Sequence, residues 1–172
     1  MKILLGVLGG VLVVVLGGLA WMGALSRLEV QERDMGPYQF VYVQEPSSDA
    51  GRIGRLTDAL GERLEAAGIT QRKPAQQYYA TGRGLQNQVG FLVEQAVSRD
   101  VLGTETFFRP IPAQRYVVME FPFRNRLSFM LGSFRVDPVM RKYLAQKKYA
   151  RTSAMVILEG DTLLYLEPIA PA

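Results

Sequence analysis

The sequence predicts an α+β fold of two β-α-β-β units in tandem, related by pseudo-two-fold symmetry, behind one N-terminal transmembrane helix. Three observations predict it. Residues 3–25 carry no charged side chain. Residues 38–94 and residues 114–167 each run in the order strand, helix, strand, strand. The two runs share that order with little residue identity, so the repeat is one of pattern. Neither unit can bury a helix and a sheet face alone. Side by side they bury both and leave a cleft at their junction, where ligands commonly bind.

The elements follow in order. About 23 uncharged residues rise about 34 Å as a helix, enough for a hydrocarbon core of about 30 Å. Trp21 near the far end suits an interfacial anchor. Lys2 and Gly18-Leu19-Ala20 would also suit a cleaved signal peptide. The apolar run, however, passes through Trp21, Met22 and Leu25, so a retained signal anchor over residues 1–25 is expected, with the lipid bilayer as partner through residues 3–25. Gly6 and Gly10 form a GxxxG pair, but the run holds six glycines and chance suffices for the match. Lys2 lies on one side; Arg27 and Arg33 lie on the other. The layout is that of a bacterial cell-membrane protein with its N-terminus inside and its domain outside the cytoplasm, in the periplasm. Residues 26–36 are short and polar, a stalk or the first edge of the domain, and the domain proper is set at residues 37–172.

Tyr38, Phe40 and Tyr42 alternate with Gln39, Val41 and Val43 as a strand does. After a loop at residues 46–51, Ile53, Leu56, Leu60 and Leu64 form a helical stripe that Gly68 ends. Residues 71–74 read as a loop. Residues 76–80 and 88–94 read as strands joined by Thr81-Gly82-Arg83-Gly84, and residues 95–106 as a polar crossing. In the second unit, residues 113–122 are rich in β-branched and aromatic residues and predict a strand. Leu127, Met130, Leu131 and Phe134 have helical spacing. Asp137-Pro138 offers an N-cap and an N1 proline, so a second helical run is expected to start there. Residues 153–158 and 163–167 are strands across the Glu159-Gly160-Asp161-Thr162 turn.

Composition narrows the chemistry. The chain has 172 residues, 20 Lys and Arg against 16 Asp and Glu, and neither Cys nor His. Disulfides, thiolate catalysis, imidazole bases and the commonest metal ligands are therefore excluded. The charge of +4 is scattered; a nucleic-acid groove carries a denser basic stripe with aromatics, so no nucleic-acid partner is expected. Arg141, Lys142, Lys147, Lys148 and Arg151 make the densest basic cluster, which reads as a solvated helix face rather than a lipid-headgroup site. Gly82-Arg83-Gly84 lacks the following helix of a phosphate loop, and no cofactor is expected. The candidate ligand-binding residues are Tyr79, Phe91, Glu94, Tyr116, Glu120 and Tyr165. Aromatics can line a cleft and hold a flat molecule or a cation, and a desolvated carboxylate can bind a cation or move a proton. Packing of strand aromatics on helices is the competing role. For Glu94 and Glu120 a plain solvent-facing position outweighs the functional one. Alternation admits only one of Tyr78 and Tyr79 to the inside.

Phe121-Pro122-Phe123, Leu127-Ser128-Phe129-Met130-Leu131, the run from Val136 to Leu144, and residues 154–168 together resemble the GyrI-like effector-binding domain of the SOUL superfamily. Gly36-Pro37-Tyr38 and Gln77-Tyr78-Tyr79 agree more loosely. The chain is most similar to the membrane-anchored branch, whose eukaryotic member is a testis-expressed ER-phagy receptor. The resemblance implies the tandem fold and a cleft for a small apolar or cationic molecule, or for a docked protein. Cation-binding members carry a Glu four residues before the last strand's proline; that position here is Leu164. Glu167 is adjacent to Pro168, and alternation sets it on the face opposite Leu164 and Leu166. The expected function is non-enzymatic ligand binding. The alternatives are a protein-docking adaptor, or a small-molecule hydrolase that uses a cleft Glu.

Overall fold

The computed structural model describes residues 2–45, 50–81, 84–98 and 102–170, and the backbone alone for residues 2–9, 50, 79–81 and 84–86. Three helices are described: α1 (Lys2–Leu19), α2 (Ala50–Ala66) and α3 (Arg126–Lys147). Eight strands form one antiparallel sheet: β1 (Val30–Met35), β2 (Tyr38–Glu45), β3 (Arg72–Thr81), β4 (Gly84–Val93), β5 (Phe107–Ile111), β6 (Gln114–Pro122), β7 (Met155–Glu159) and β8 (Thr162–Pro168). Their order is β1-β6-β8-β7-β3-β4-β2-β5. It places β6, β8 and β7 in one half and β3, β4 and β2 in the other, with β7 against β3 at the centre.

Each half borrows its edge strand from the other. β1 pairs with β6, and β5 pairs with β2. Residues 26–36 are therefore not a stalk but hold the first edge of the domain. Val30–Met35 has no apolar alternation; backbone hydrogen bonds to the free edge of β6 make it a strand.

The sheet curls. Met35 on one edge and Ile111 on the other pack on a single cluster that includes Phe40, Tyr42, Tyr116, Val118, Leu164 and Leu166. In a flat sheet with strands about 4.7 Å apart, those edges would stand about 33 Å apart. The inner face thus closes on itself, and both helices of the domain cover the outer face. Leu60 and Leu64 of α2 pack on Val41, Phe91 and Val93. Val136, Met140 and Leu144 of α3 pack on Val117, Met119, Phe121, Val156 and Tyr165.

α3 is one helix of 22 residues, with Pro138 inside it. The expected restart at Asp137-Pro138 is corrected. Asn125 is the N-cap, accepting from the backbone N–H of Leu127 at 2.9 Å and of Ser128 at 3.2 Å. Ser128, Gly132, Val136, Met140 and Leu144 are all buried at four-residue spacing. That continuous buried face spans the proline and offsets its cost of about 3 kcal/mol. β3 likewise begins at Arg72, inside the expected loop. Pro74 is tolerated because pairing to β7 starts only at Ala75, so its missing N–H faces no partner there.

The N-terminal expectation changes most. α1 ends at Leu19, and a π-helical turn (Ala20–Ala24) follows. Gly23 is buried at φ +96°, and a Cβ there would lie 2.6 Å from Pro122 Cγ. Arg135 of α3 donates to Gly23 O at 2.6 Å and to Ser26 O at 2.9 Å. From Gly23 onward the chain is fastened to the domain, and the 18 residues of α1 rise only about 27 Å. Among the described residues no helix is long and apolar enough to cross a membrane. This overturns the single-pass membrane localisation and the periplasmic placement that rested on the span, and it leaves the bilayer partner without support. Val13 and Val14 of α1 and Trp21 are nonetheless exposed.

Candidate functional site

β3 and β7 pair through only Ala75–Ile157, Gln76–Val156 and Gln77–Met155. This short junction separates two cavities, one on each face of the sheet.

On the outer face a cleft of about 880 Å³ opens beside α3, lined by Tyr78, Phe129, Ser133, Met140, Tyr165 and Glu167, among others. That is within the usual range for small-molecule sites. Gly132 of α3 gives the Tyr165 ring its room: a Cβ there would stand 2.4 Å from the Tyr165 hydroxyl and 2.9 Å from the Phe121 ring. The Tyr165 hydroxyl donates to Phe129 O at 3.2 Å and lies 3.4 Å from Ser133 Oγ. The Tyr78 and Phe129 rings meet at 6.3 Å between centroids. Burial pushes the Tyr165 phenol up to about 12 and raises that of Tyr78 as well, so both stay protonated at neutral pH.

Glu167 is the buried charge of this cleft, 1% exposed. Its Oε2 accepts from Thr152 N at 3.3 Å and Thr152 Oγ1 at 3.1 Å. Burial raises its pKa above the ordinary carboxylate value, opposed by the Thr152 hydrogen bonds and by the Arg151 charge. Arg151 Nε stands 3.7 Å from Glu167 Oε1, while Arg151 Nη2 lies 2.6 Å from Asp137 Oδ1. Arg141 Nη2 holds the other oxygen of Asp137 at 2.7 Å. Charges thus alternate from the exposed Arg141 down to the buried Glu167.

On the inner face the curl encloses a smaller cavity of about 230 Å³, lined by Tyr38, Gln77, Arg109, Gln114, Tyr116 and Leu166, among others. Gln114 Nε2 donates to the Tyr116 hydroxyl at 3.1 Å.

The six residues expected from sequence do not converge. Tyr165 lines the outer cleft and Tyr116 the inner cavity. Phe91 is buried in the core under α2, with Arg72 stacked over its ring at 5.6 Å. Glu94 is exposed just beyond β4. Glu120 is half-exposed on β6, where Arg33 donates to it. The Tyr79 side chain lies outside the described residues; its backbone pairs with Gln86. Glu94 lies past the end of its strand, and Glu120, which pairs with Leu164 from within β6, stays exposed beside Arg33. Of the residues that build the outer cleft, Glu167 was readable: it shares the period-two face of Tyr165 on one strand. Phe129, Ser133 and Arg151 carried no such signal, because their approach depends on how α3 crosses the sheet.

No family model and no curated protein matches the chain. Solved structures do. The C-terminal domain of EcmrR matches at a TM-score of 0.60 with 14% identity, over 86% of this chain and 99% of that one. The integron cassette protein VCH_CASS2 from the mobile metagenome of Vibrio cholerae matches at 0.56 with 11% identity, over 84% of this chain and 100% of that one. SAV2435 bound to tetraphenylphosphonium matches at 0.52 with 12% identity, over 83% of this chain and 94% of that one. None of these three ties the chain to the membrane-anchored branch or to an ER-phagy receptor. The chain shares with them an α+β fold built on a curled antiparallel sheet.

Proposed function

We propose that this is a GyrI-like effector-binding domain that takes a small apolar or cationic molecule, without chemistry, in the outer cleft between its halves. The observation that carries it is Glu167, a carboxylate 1% exposed in an apolar cleft of about 880 Å³. A buried carboxylate is costly unless a cation or a proton compensates it. Arg151 comes no nearer than 3.7 Å and is held more closely by Asp137. A cation in the cleft would supply the closer countercharge, and the faces of Tyr78 and Phe129 would stack on it. The fold likeness to SAV2435, a structure bound to the bulky apolar cation tetraphenylphosphonium, supports the same class of ligand. Nucleic acid has no place in this proposal, since the basic side chains at the cleft are paired with Asp137.

Titration of the full chain with tetraphenylphosphonium, followed by calorimetry, tests it. Saturable binding that weakens about tenfold or more in Glu167→Gln is expected, in line with a buried charge pair. Absence of binding, or an unchanged affinity in the variant, overturns it.

One observation favours hydrolysis as a second reading: Glu167 is buried on the same strand face as Tyr165, where a carboxylate base could act on a bound ester. Turnover of a nitrophenyl ester above background, lost in Glu167→Gln with binding retained, would replace the non-enzymatic assignment. A docking adaptor fits less well. The cleft is open, and exposed Met130 and Phe134 of α3 belong to its lining.

A further inference from the structure

The inner cavity holds one charged side chain among its lining residues, Arg109 of β5. Its guanidinium lies 5.6 Å from the Phe40 ring centroid and 5.8 Å from that of Tyr42. Its Nη2 donates to Gln77 Oε1, and the Gln77 amide is turned to Ser153 O at 3.2 Å. Arg109 Nε is fully buried and has no acceptor. Among the described residues no carboxylate lies within ion-pair distance of Arg109, and no acidic side chain lines the cavity. Leu164, the position where the family resemblance expects a glutamate, contributes only aliphatic surface to this inner face.

A guanidinium has donors only and cannot shed its charge by deprotonation. Half-buried against two aromatic rings without a protein anion, it leaves the enclosed Nε unmet and a charge unpaired. The neighbouring Tyr116 hydroxyl already accepts from Gln114, which leaves its own proton for donation. The cavity is thus apolar in its walls, cationic at one point and short of acceptors.

We propose that this inner cavity is an anion site in which Arg109 binds the carboxylate of a small acid with an apolar body. A guanidinium offers a carboxylate paired N–H donors in the bidentate manner, and the Tyr116 hydroxyl is a further donor at this wall. At about 230 Å³ the space suits one ring or a short chain, far smaller than the outer cleft. A phosphate would find too few donors here to replace its hydration. The site opens on the opposite face from the outer cleft, with which it shares Ser153 and Leu166 at the junction, and its charge comes from Arg109 alone.

The test uses the full chain with benzoate as probe and benzyl alcohol as its uncharged counterpart, read by amide chemical shifts and by thermal unfolding. Benzoate is expected to raise the unfolding temperature in a concentration-dependent way, as any ligand of the native state does, and benzyl alcohol is not. Arg109→Gln is expected to weaken benzoate binding tenfold or more and to leave tetraphenylphosphonium binding unchanged. Arg109→Met removes the uncompensated charge, so without ligand it should unfold no earlier than the parent chain, and benzoate should not shift it. Tyr116→Phe, which keeps the ring, should weaken benzoate severalfold and serves if either Arg109 variant fails to fold. The proposal is overturned if benzoate leaves the parent chain unmoved, if benzyl alcohol binds equally well, or if these variants retain full benzoate affinity.

Discussion

Gln77 and Tyr78 are chain neighbours in β3, yet they divide between two cavities on opposite faces of the sheet, while in β8 Glu167 lines the outer cleft alone and its neighbour Leu166 borders both. The outer cleft has a buried carboxylate beneath a helix. The inner cavity has a half-buried guanidinium and no helix. Alternation of side chains sets the two charges on opposite faces of the sheet, so they do not meet. The walls differ for a related reason. α3 forms one side of the outer cleft, so its width follows from how a helix packs on a sheet. The inner cavity is closed by the curl itself, so its size follows from strand register.

The largest test of this division is Tyr165→Ala. Loss of the ring should destabilise the domain by about 3–5 kcal/mol, measured by urea unfolding, because the site cannot collapse fully around Gly132 and Phe121. Tetraphenylphosphonium binding should vanish while benzoate binding to the folded protein persists. Loss of both ligands together would mean that the two cavities act as one.

Glu167→Gln sharpens the electrostatic half of the comparison. Because burial raises the folded-state pKa above the unfolded value of about 4.3, the unfolded chain gives up its proton first as pH rises. The Glu167 contribution to stability is therefore neutral below the ordinary carboxylate range and falls as pH climbs toward the raised pKa. It stays at the lower level above that. Urea midpoints from acid to neutral pH should fall less in Glu167→Gln than in the parent chain. A parent chain that instead gained more stability over this range than the variant would show that Arg151 outweighs burial.

The smallest effect is expected at Glu120. Its pair with Arg33 is 40% and 48% exposed, so Glu120→Gln should change stability by less than about 1 kcal/mol and leave both ligands' affinities alone. A marked loss of either ligand would return Glu120 to the site from which its exposure removes it.

Much of the fold was legible because its signals are local. The Leu60 and Leu64 stripe, the end of α2 at Gly68 and the hairpin at Gly160 each depend on a few consecutive residues. β1 was harder to see, since Val-Gln-Glu-Arg-Asp-Met has no apolar alternation and becomes a strand only where β6 leaves an edge to pair. Asp137-Pro138 carries a sound local signature of a helix start. It was overruled because burial of Val136, Met140 and Leu144 against the sheet favours one unbroken helix. The apolar N-terminal run misled in the same way: its composition says nothing of the turn at Gly23 that Arg135 and Pro122 hold in place.

Period-two alternation alone decided which residues share a face: Tyr165 with Glu167, and Leu164 with Leu166. The absence of His and Cys alone decided which chemistries the domain cannot use. The curl decided the rest. β5 pairs with β2, at the sheet edge far in strand order from β6, which follows it in the chain, and carries Arg109 over Phe40 and Tyr42. Whether a charge is buried depends on what lies above it, and that is set by contacts between residues far apart in sequence, which no local pattern records.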